Sequence, residues 1–482
     1  MSDSSQREAP LAAAVDRVLA ASDIFPFTTP GHKRSTRLAD PLLALDLPLA
    51  TGADDGHLSG GVLLRAEALA AELWGAERCR FSVNGSTHCN QALALAVGRP
   101  GDRVIVARNL HKSLLMGLVF AGLEPVWAHP SVDPVTGLAL TVSPAEIERA
   151  IGEAPDVRAV FLVEPSFFGV VGDVAQAAGL AHAAGVPVIV DQAWGSHLGF
   201  HPDVPPTALS QGADAQVVST HKTLAAFTQS ALLLTRSGFL DLDRLDEAFE
   251  ALNTTSPSAA IYGSVDRMRK RMAGDGEALV GEAVRLARRA QRALAEIDGV
   301  EVFSDRVARD HRHLAYDPTK LVISLAGTGA DGLGVERDIW EAGVRLELAD
   351  RDTLVPLVTV GDDDRAIDRL VGSIAASIAS RRTEPRPPSR EDFTGFRLET
   401  VATPRDAFFS DRETVPAGEA HGRISAEVVA PYPPGIPVIA PGERIEARVV
   451  AALQDEARRG TRIAYCRSPT LEAIQVIRER LI

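Results

Sequence analysis

Lysine is scarce in this sequence. Of its 50 basic residues only five are lysines, and the remainder are arginines. Arginine can replace lysine as a solvated surface charge, but its guanidinium does not form a Schiff base with a carbonyl compound. An enzyme that needs such a bond therefore has a short list of amines in this chain: Lys33, Lys112, Lys222, Lys270 and Lys320.

Cysteines and long apolar runs are also rare. The three cysteines have no metal-ligand spacing and cannot form an even disulfide framework, which is typical of a protein from the reducing cytoplasm. No run reaches 18 apolar residues, so no membrane span is predicted. The most apolar stretch near the N-terminus, residues 11–21, contains two charges and predicts a short amphipathic helix instead of a secretory signal. We therefore expect a cytoplasmic protein without a metal site.

Several function classes lack their motifs. The formal net charge of −14 argues against nucleic-acid binding, which normally uses a basic surface, and is compatible with a basic small molecule as ligand. The Walker loop, the His-Glu-x-x-His zinc motif and the Gly-x-Ser-x-Gly nucleophile motif are missing. Residues 327–329 match only part of a dinucleotide fingerprint. These absences weaken a nucleotide-binding interpretation without removing it.

Short apolar runs alternate with helix-period segments between about residues 69 and 234. Four of the runs predict buried strands, at 103–106, 159–163, 186–190 and 216–219. Continuous apolar strands that alternate with helices, such as 175–184, indicate a mostly parallel sheet that is covered on both faces. Residues 231–235 predict one further strand, for which an antiparallel direction stays open.

A chain of 482 residues is too long for one hydrophobic core, so several domains are expected. A helix predicted over residues 276–297 would lead from a large domain into a smaller one. A proline-rich segment then predicts a linker. The predicted units are an N-terminal segment (1–45) that packs on the large domain, the large domain itself (46–285), a small α/β domain (286–380), a linker (381–390) and a C-terminal domain (391–482).

Asp191 and Lys222 follow two neighbouring strands of this sheet. Because the carboxyl ends of parallel strands share one edge, both side chains are expected where ligands of such sheets bind. A carboxylate there can keep the pyridine nitrogen of pyridoxal phosphate (PLP) protonated, and a lysine can bond to its aldehyde. Taken singly, Asp191 is more often a helix cap and Lys222 a solvated charge. As a pair, in a chain with five lysines, they predict a PLP site.

A Gly-Ser-Thr turn opens the helical pattern after residue 84. Such a turn offers backbone N–H groups, hydroxyls and the positive end of a helix to an anion. We assign Ser86 and Thr87 to the PLP phosphate, although an ordinary helix cap is the more common use of these residue types. Ser219 adds a hydroxyl close to Lys222.

Two aromatic side chains complete the candidate site. His111 follows the strand at 103–106, where it can stack on the pyridine ring, and a polar loop histidine is the equal alternative. Trp194, shortly after Asp191, is either a wall of the pocket or a packing residue.

Together these motifs resemble the ornithine/lysine/arginine decarboxylases, a family with the aspartate-aminotransferase fold (PLP fold type I). The resemblance covers nearly the whole chain and its segments run in family order. They lie at 29–33, 84–87, 109–113, 191–194, 219–224, 253–257, 430–437 and 441–443. The resemblance implies an α/β fold with a mostly parallel central sheet and smaller α/β C-terminal domains. Residues 164–169 depart from many relatives, because phenylalanines replace tyrosine there.

The resemblance also implies roles for the candidate residues. Lys222 would carry the cofactor, with His221 and Asp191 as the other catalytic residues. Residues assigned to the phosphate or the reacting centre are Ser86, Thr87, Ser219 and His221. Thr254 would reach the cofactor of a partner subunit, so a homodimer or a higher even oligomer is expected. The motif at 29–33 lies close to the first residue. In this respect the sequence resembles the short form of the family, which has no additional N-terminal domain (wing) before the cofactor domain.

The implied reaction is the decarboxylation of arginine, lysine or ornithine to agmatine, cadaverine or putrescine, in polyamine biosynthesis. A carboxylate must bind the side-chain cation of such a substrate, and Glu419 and Glu427 are candidates. Another fold type I reaction, such as transamination, uses the same Asp191 and Lys222 and stays an alternative. A catalytically silent relative is a further alternative.

Overall fold

The structure is a computed structural model of the chain. It describes residues 3–21, 27–34, 37, 41–50, 52–56, 61–388, 393–432 and 435–478. Parts of the predicted N-terminal segment, residues 389–390 of the predicted linker and residues 433–434 of the proline-rich motif lie outside these ranges. Among the described residues, no helix is both long and apolar enough to cross a bilayer.

A seven-stranded sheet forms the centre of the fold, in the spatial order β1-β8-β7-β6-β4-β2-β3. The strands up to residue 235 are β1 (Arg78–Ser82), β2 (Arg103–Ala107), β3 (Glu124–Ala128), β4 (Val160–Val163), β5 (Val170–Val171, outside this sheet), β6 (Val188–Asp191), β7 (Ala215–Val218) and β8 (Ala231–Thr235). Neighbours from β3 to β7 are parallel, and β8 runs antiparallel to β7 and β1. The predicted mostly parallel sheet is confirmed, and the strand at 231–235 is the antiparallel one.

Helices cover both faces of this sheet. Those of the first 295 residues are α1 (Asp3–Gln6), α2 (Pro10–Ala20), α3 (Val62–Trp74), α4 (Gly85–Val97), α5 (Lys112–Ala121), α6 (Pro144–Glu153), α7 (Val174–Ala183), α8 (Leu242–Leu252) and α9 (Ala259–Ala295). Successive strand residues alternate between the faces: Val104 and Val106 pack with α4, α5 and α8, while Ile105 packs with α6 and α7. Both faces of the inner parallel strands β2, β4 and β6 are therefore apolar, as a parallel sheet requires.

Helix α9 begins at Ala259, well before the predicted start at residue 276. The later start was predicted from apolar residues at helical spacing. Gly274 and Gly276, which lie inside the observed helix, each weaken it by about 1 kcal/mol. Tertiary contacts outweigh that cost. Asp266 accepts hydrogen bonds from the backbone N–H groups of Leu11 and Ala12 in α2, at 2.9 and 3.1 Å, and pairs with Arg269 at 2.8 Å. Asp266 and Arg269 are fully buried, so these bonds hold α2 and α9 together.

The remaining chain forms two smaller α/β layers. The first contains β9 (Glu301–Val302), α10 (Phe303–Asp310), β10 (Ala315–Tyr316), β11 (Ile323–Ser324), α11 (Gly332–Glu341), β12 (Leu348–Ala349), β13 (Thr353–Val355) and α12 (Asp364–Arg381). The second contains α13 (Pro404–Phe409), β14 (Arg412–Pro416), β15 (Ala430–Tyr432), α14 (Ala447–Arg458), β16 (Arg462–Ala464) and β17 (Ala473–Ile477). Residues 383–388, in the predicted linker, bind the first layer: Arg386 donates to Ala326 O at 3.0 Å and to Asp352.

A buried ion pair joins the central sheet to the C-terminal layer. Arg108, directly after β2, donates to the Glu443 carboxylate and to the carbonyl oxygen of Val438, both at 2.9 Å. Its guanidinium also lies 4.4 Å from the ring centroid of Trp127. Arg108 and Glu443 are 3% and 1% exposed, so neither charge is solvated by water.

We predict that Glu443→Gln lowers the free energy of unfolding by about 3–5 kcal/mol, because it leaves the Arg108 charge buried and unpaired. Urea unfolding followed by tryptophan fluorescence measures this change. Asp275→Asn is the matched control, since it removes one partner of an exposed ion pair with Arg271. Equal unfolding midpoints for the two variants would contradict the prediction.

Candidate active site

A cavity of about 440 Å³ opens at the carboxyl edge of the central sheet. The loops that follow β1, β2, β4, β6 and β7 form most of its wall. Six predicted site residues line it: Ser86, His111, Asp191, Trp194, His221 and Lys222. The later parts of the chain contribute Glu347, Leu357, Tyr432, Gly435, Ile436 and Tyr465.

Asp191 is the last residue of β6 and its carboxylate is held on both oxygens. Oδ2 accepts a hydrogen bond from Asn90 Nδ2 at 2.7 Å, and Oδ1 accepts one from the backbone N–H of Ala193 at 3.1 Å. Asp191 is 7% exposed, so these donors replace most of its hydration. Each carboxylate oxygen keeps a further lone pair, so Asp191 can also accept a hydrogen bond from a protonated pyridine nitrogen.

Lys222 follows β7 in the loop next to Asp191. Its Nζ lies 4.1 Å from the ring centroid of Trp194. Burial lowers the pKa of Lys222, while the negative charges of Asp191 and Glu347 raise it. A lowered pKa increases the fraction of free amine, which is the form that attacks an aldehyde.

Each histidine of the site has one ring nitrogen committed to a hydrogen bond. His221 Nδ1 lies 2.8 Å from the carbonyl oxygen of Ser230, which only accepts, so Nδ1 carries the proton and Nε2 keeps its lone pair. His111 Nδ1 instead accepts from the backbone N–H of Ser113 at 3.2 Å. Burial lowers the pKa of both rings, which favours their neutral forms.

The start of α4 has the properties of a phosphate site. Gly85 adopts φ +72°, a conformation that favours glycine, and the first-turn N–H groups of α4 follow it. Ser86 lines the cavity and Thr87 is exposed beside it. The buried hydroxyl of Ser219 has no hydrogen-bond partner among the described residues. A lone buried hydroxyl, a free helix start, an anchored carboxylate and a buried amine at one rim fit PLP.

Three of the predicted cofactor residues do not line the cavity. Ser219 is fully buried beneath its wall, Thr87 faces solvent, and Thr254 is half-buried in the loop between α8 and α9. Their roles toward the cofactor remain predictions.

The two carboxylates suggested for the substrate cation are elsewhere. Glu427 accepts hydrogen bonds from the backbone N–H groups of Arg467 and Gln475, both at 2.8 Å, within the C-terminal layer. Glu419 lies in a short turn of the same layer. The acidic residues among the described cavity lining are Asp191 and Glu347. Glu347 and Asn90 were missed because neither stands in a recognisable motif, and their positions follow from long-range packing.

A second lysine lies behind the cavity wall. Lys320 is fully buried, and its Nζ lies 3.8 Å from the ring centroid of Trp194 and 5.2 Å from that of Phe167. Burial lowers the pKa of Lys320 to about 8, and the negative charges of Asp317 and Glu347 oppose this change. Phe167, one of the phenylalanines in place of tyrosine, packs edge-on against Trp194 at 5.5 Å. The Phe167 ring is therefore held by contacts with Trp194 and Lys320.

Glu164 is a buried acid at the end of β4. One oxygen accepts a hydrogen bond from the backbone N–H of Gly172 at 2.9 Å, and burial raises the pKa of Glu164 to about 8. The carboxyl group is therefore mostly protonated at neutral pH.

We predict a pH-dependent stability that Glu164→Gln removes. The folded pKa of about 8 exceeds the ordinary 4.5, so the stabilising contribution is complete below pH 4.5 and is lost as the pH rises through 8. Urea unfolding at pH 5, 7 and 9 should show a loss of roughly a few kcal/mol in the wild type that the variant lacks. Glu148→Gln, on the exposed face of α6, is the control. Parallel pH profiles of wild type and Glu164→Gln would show that the prediction is wrong.

Comparisons with known proteins match the whole length of the chain. The family models described as Orn/Lys/Arg decarboxylase match residues 25–366 (major domain) and 390–455 (C-terminal domain). An arginine decarboxylase of Bacillus subtilis is 34% identical over 494 residues, covering 99% of each chain. The lysine decarboxylase A structure from Pseudomonas aeruginosa has a TM-score of 0.82 at 21% identity, covering 98% of this chain and 81% of that one.

More distant structures share the fold alone. A serine palmitoyltransferase of Sphingomonas wittichii has a TM-score of 0.55 at 13% identity and covers 78% of this chain and 84% of its own. These neighbours confirm PLP fold type I, and the family confirms PLP as the cofactor. The aminotransferase and nucleotide-binding alternatives are thereby set aside. The chain belongs to the Orn/Lys/Arg decarboxylase family, whose members decarboxylate basic amino acids.

Proposed function

We propose that the protein decarboxylates arginine to agmatine, and that Glu347 binds the substrate guanidinium. The observation that carries this proposal is the pair of carboxylates in the cavity lining. Asp191 is held by Asn90 and Ala193 beside Lys222, where the pyridine nitrogen belongs. Glu347 lines the cavity, and its carboxylate makes no hydrogen bond to another described residue, so it can accept two parallel bonds from a guanidinium.

The relatives favour arginine over lysine. Four curated proteins named arginine decarboxylase are 31–34% identical to this chain and cover 86–99% of it. The lysine decarboxylase LdcA of Pseudomonas aeruginosa is 25% identical over 80% of the chain. Burial raises the pKa of Glu347, and the positive charges of Lys320 and Lys222 oppose this change. A bound guanidinium would add a further positive charge that favours the ionised carboxylate.

We assign the cofactor contacts as follows. Lys222 would hold the aldehyde carbon, Asp191 the pyridine nitrogen, and His111 the face of the ring. The start of α4 would hold the phosphate, with the hydroxyls of Ser86, Thr87 and Ser219. When bound, PLP accepts the electron pair that is released as the Cα–carboxylate bond breaks.

The chain's own groups would then control one proton and the access of water. His221 keeps the lone pair of Nε2, because Nδ1 donates to Ser230, so it can take up a proton from solvent and donate it to Cα, where it replaces the CO₂ that leaves. The free amine of Lys222 can serve the same purpose. Trp194, Phe167 and Phe168 form an apolar wall that excludes water from the reacting carbon.

We further propose the assembly and domain limits. Thr254 lies outside the cavity of its own chain, which is compatible with a contact to the cofactor of a second copy in a homodimer. The limit at 285/286 is supported by α9, whose residues up to Val284 pack with α2 and α3 while those from Leu286 pack with the small domain. The other proposed domain limits lie between residues 45 and 46, between 380 and 381, and between 390 and 391. We also propose a cytoplasmic location.

PLP-loaded protein should release agmatine and CO₂ from arginine with a higher kcat/KM than it shows for lysine or ornithine. Mass spectrometry of the products identifies the amine. A keto acid without CO₂ would overturn the proposed reaction, and preferred release of cadaverine or putrescine would overturn the proposed substrate.

Glu347→Gln should lower kcat/KM for arginine by about 10- to 150-fold, because the charge-assisted bonds to the guanidinium are lost. The affinity for PLP should stay unchanged, since Glu347 is assigned no cofactor contact. Glu341→Gln, exposed at the end of α11, is the matched control. An equal effect of Glu347→Gln on a substrate with an uncharged side chain would argue against the assignment.

A further inference from the structure

We propose that Asn90 and Ser113 are positioning residues that orient the Asp191 carboxylate and select the tautomer of His111 through one continuous hydrogen-bond chain. The inference rests on the proposed roles of Asp191 and His111 toward the cofactor. Asn90 lies on α4 and Ser113 lies at the start of α5, so this series of hydrogen bonds links two helices to the end of β6.

The contacts form an unbroken path across the site. Asn90 Nδ2 lies 2.7 Å from Asp191 Oδ2 and 3.1 Å from Ser113 Oγ. Ser113 Oγ lies 2.9 Å from His111 Nδ1. Asn90, Ser113 and Asp191 are 2%, 1% and 7% exposed, so water does not compete for these bonds.

The chemistry of the groups sets the direction of every proton in this path. The Asn90 amide must present its NH₂ to Asp191, because its oxygen would repel the carboxylate. Its two hydrogens therefore point to Asp191 Oδ2 and to Ser113 Oγ. Ser113 Oγ accepts from Asn90. Its own hydrogen points to His111 Nδ1, because the Ser113 backbone N–H also donates to Nδ1 and that nitrogen therefore carries no proton.

His111 is thereby limited to one neutral tautomer. The Ser113 hydroxyl and the Ser113 backbone N–H, at 3.2 Å, both point to Nδ1, which must carry the lone pair. The proton of the neutral ring is therefore on Nε2. Nδ1 has no place for a proton while the hydroxyl and the more distant backbone N–H both point to it, and burial, which lowers the pKa of His111, opposes a second proton on the ring.

The same amide serves the other end of the site. Asn90 occupies one lone pair of Asp191 Oδ2, and Ala193 N occupies one of Oδ1, which leaves others for a protonated pyridine nitrogen. Asn90 also lies one helical turn after Ser86, on the same face of α4. One helix thus supplies the proposed phosphate contact and the clamp of the carboxylate.

The test compares the tautomer of His111 in four PLP-loaded proteins with ¹⁵N-labelled histidine. The wild type should show a protonated Nε2 and an unprotonated Nδ1, with the signals assigned by their loss in His111→Gln. Ser113→Ala keeps the backbone donor but removes the hydroxyl, so both tautomers should become populated. Ser113→Thr restores the hydroxyl and should restore the single tautomer.

A second measurement addresses the carboxylate. Asn90→Leu is similar in size but has no donor, and it should weaken PLP binding to the cofactor-stripped protein by tenfold or more. Gln91→Leu, the next residue on α4, is the matched control and should leave the affinity unchanged. Circular dichroism verifies that each variant is folded.

Two results would overturn the inference. One is a single Nε2–H tautomer in Ser113→Ala, identical to that of the wild type. The other is an unchanged PLP affinity in folded Asn90→Leu. Neither measurement uses the substrate. If the arginine assay fails but Ser113→Ala shows the expected tautomer change, the proposed substrate is rejected and this inference stands.

Discussion

The structure of the site depends on one buried carboxylate. Asp191 ends the central strand β6 with parallel neighbours on either side, so its main chain has little freedom. A carboxylate in this position is costly unless donors surround it, because burial removes its hydration. The donors come from α4 and from the turn after β6. The position of α4 in turn determines where Ser86 and the helix start lie, so the proposed phosphate and pyridine contacts have a fixed relation.

Parallel topology explains why the other groups converge on this carboxylate. The carboxyl ends of β2, β6 and β7 share one edge, and the loops behind them carry His111, Asp191 and Lys222. Motifs that are far apart in the chain thereby meet in one cavity. The later layers close this cavity, with Glu347 from one and Tyr432 and Tyr465 from the other. Their placement relies on connections such as the Arg108–Glu443 pair and the pairing of β5 with β10.

The agreement between the predicted and observed fold is closest where a pattern is local. The predicted strands at 103–106 and 159–163 correspond to β2 and β4 within one residue at each end, since alternating burial on two helical layers demands continuous apolar runs. Helix α9 shows the limit of such reasoning. Its start was predicted from apolar residues at helical spacing, while the actual start depends on Asp266 bonding to α2, more than 250 residues away.

The sequence by itself determined the class of fold, the cofactor chemistry and the lining residues Asp191, Lys222, His111, His221, Ser86 and Trp194, because each stands next to a strand end or in a motif. Only the tertiary structure decided which further carboxylate lines the cavity and which groups hold Asp191. Glu427 was a reasonable candidate from its domain, yet its oxygens are bound to backbone N–H groups. Asn90 reaches Asp191 across 101 residues of chain. Such contacts arise from the packing of whole elements, and no local pattern of residues encodes them.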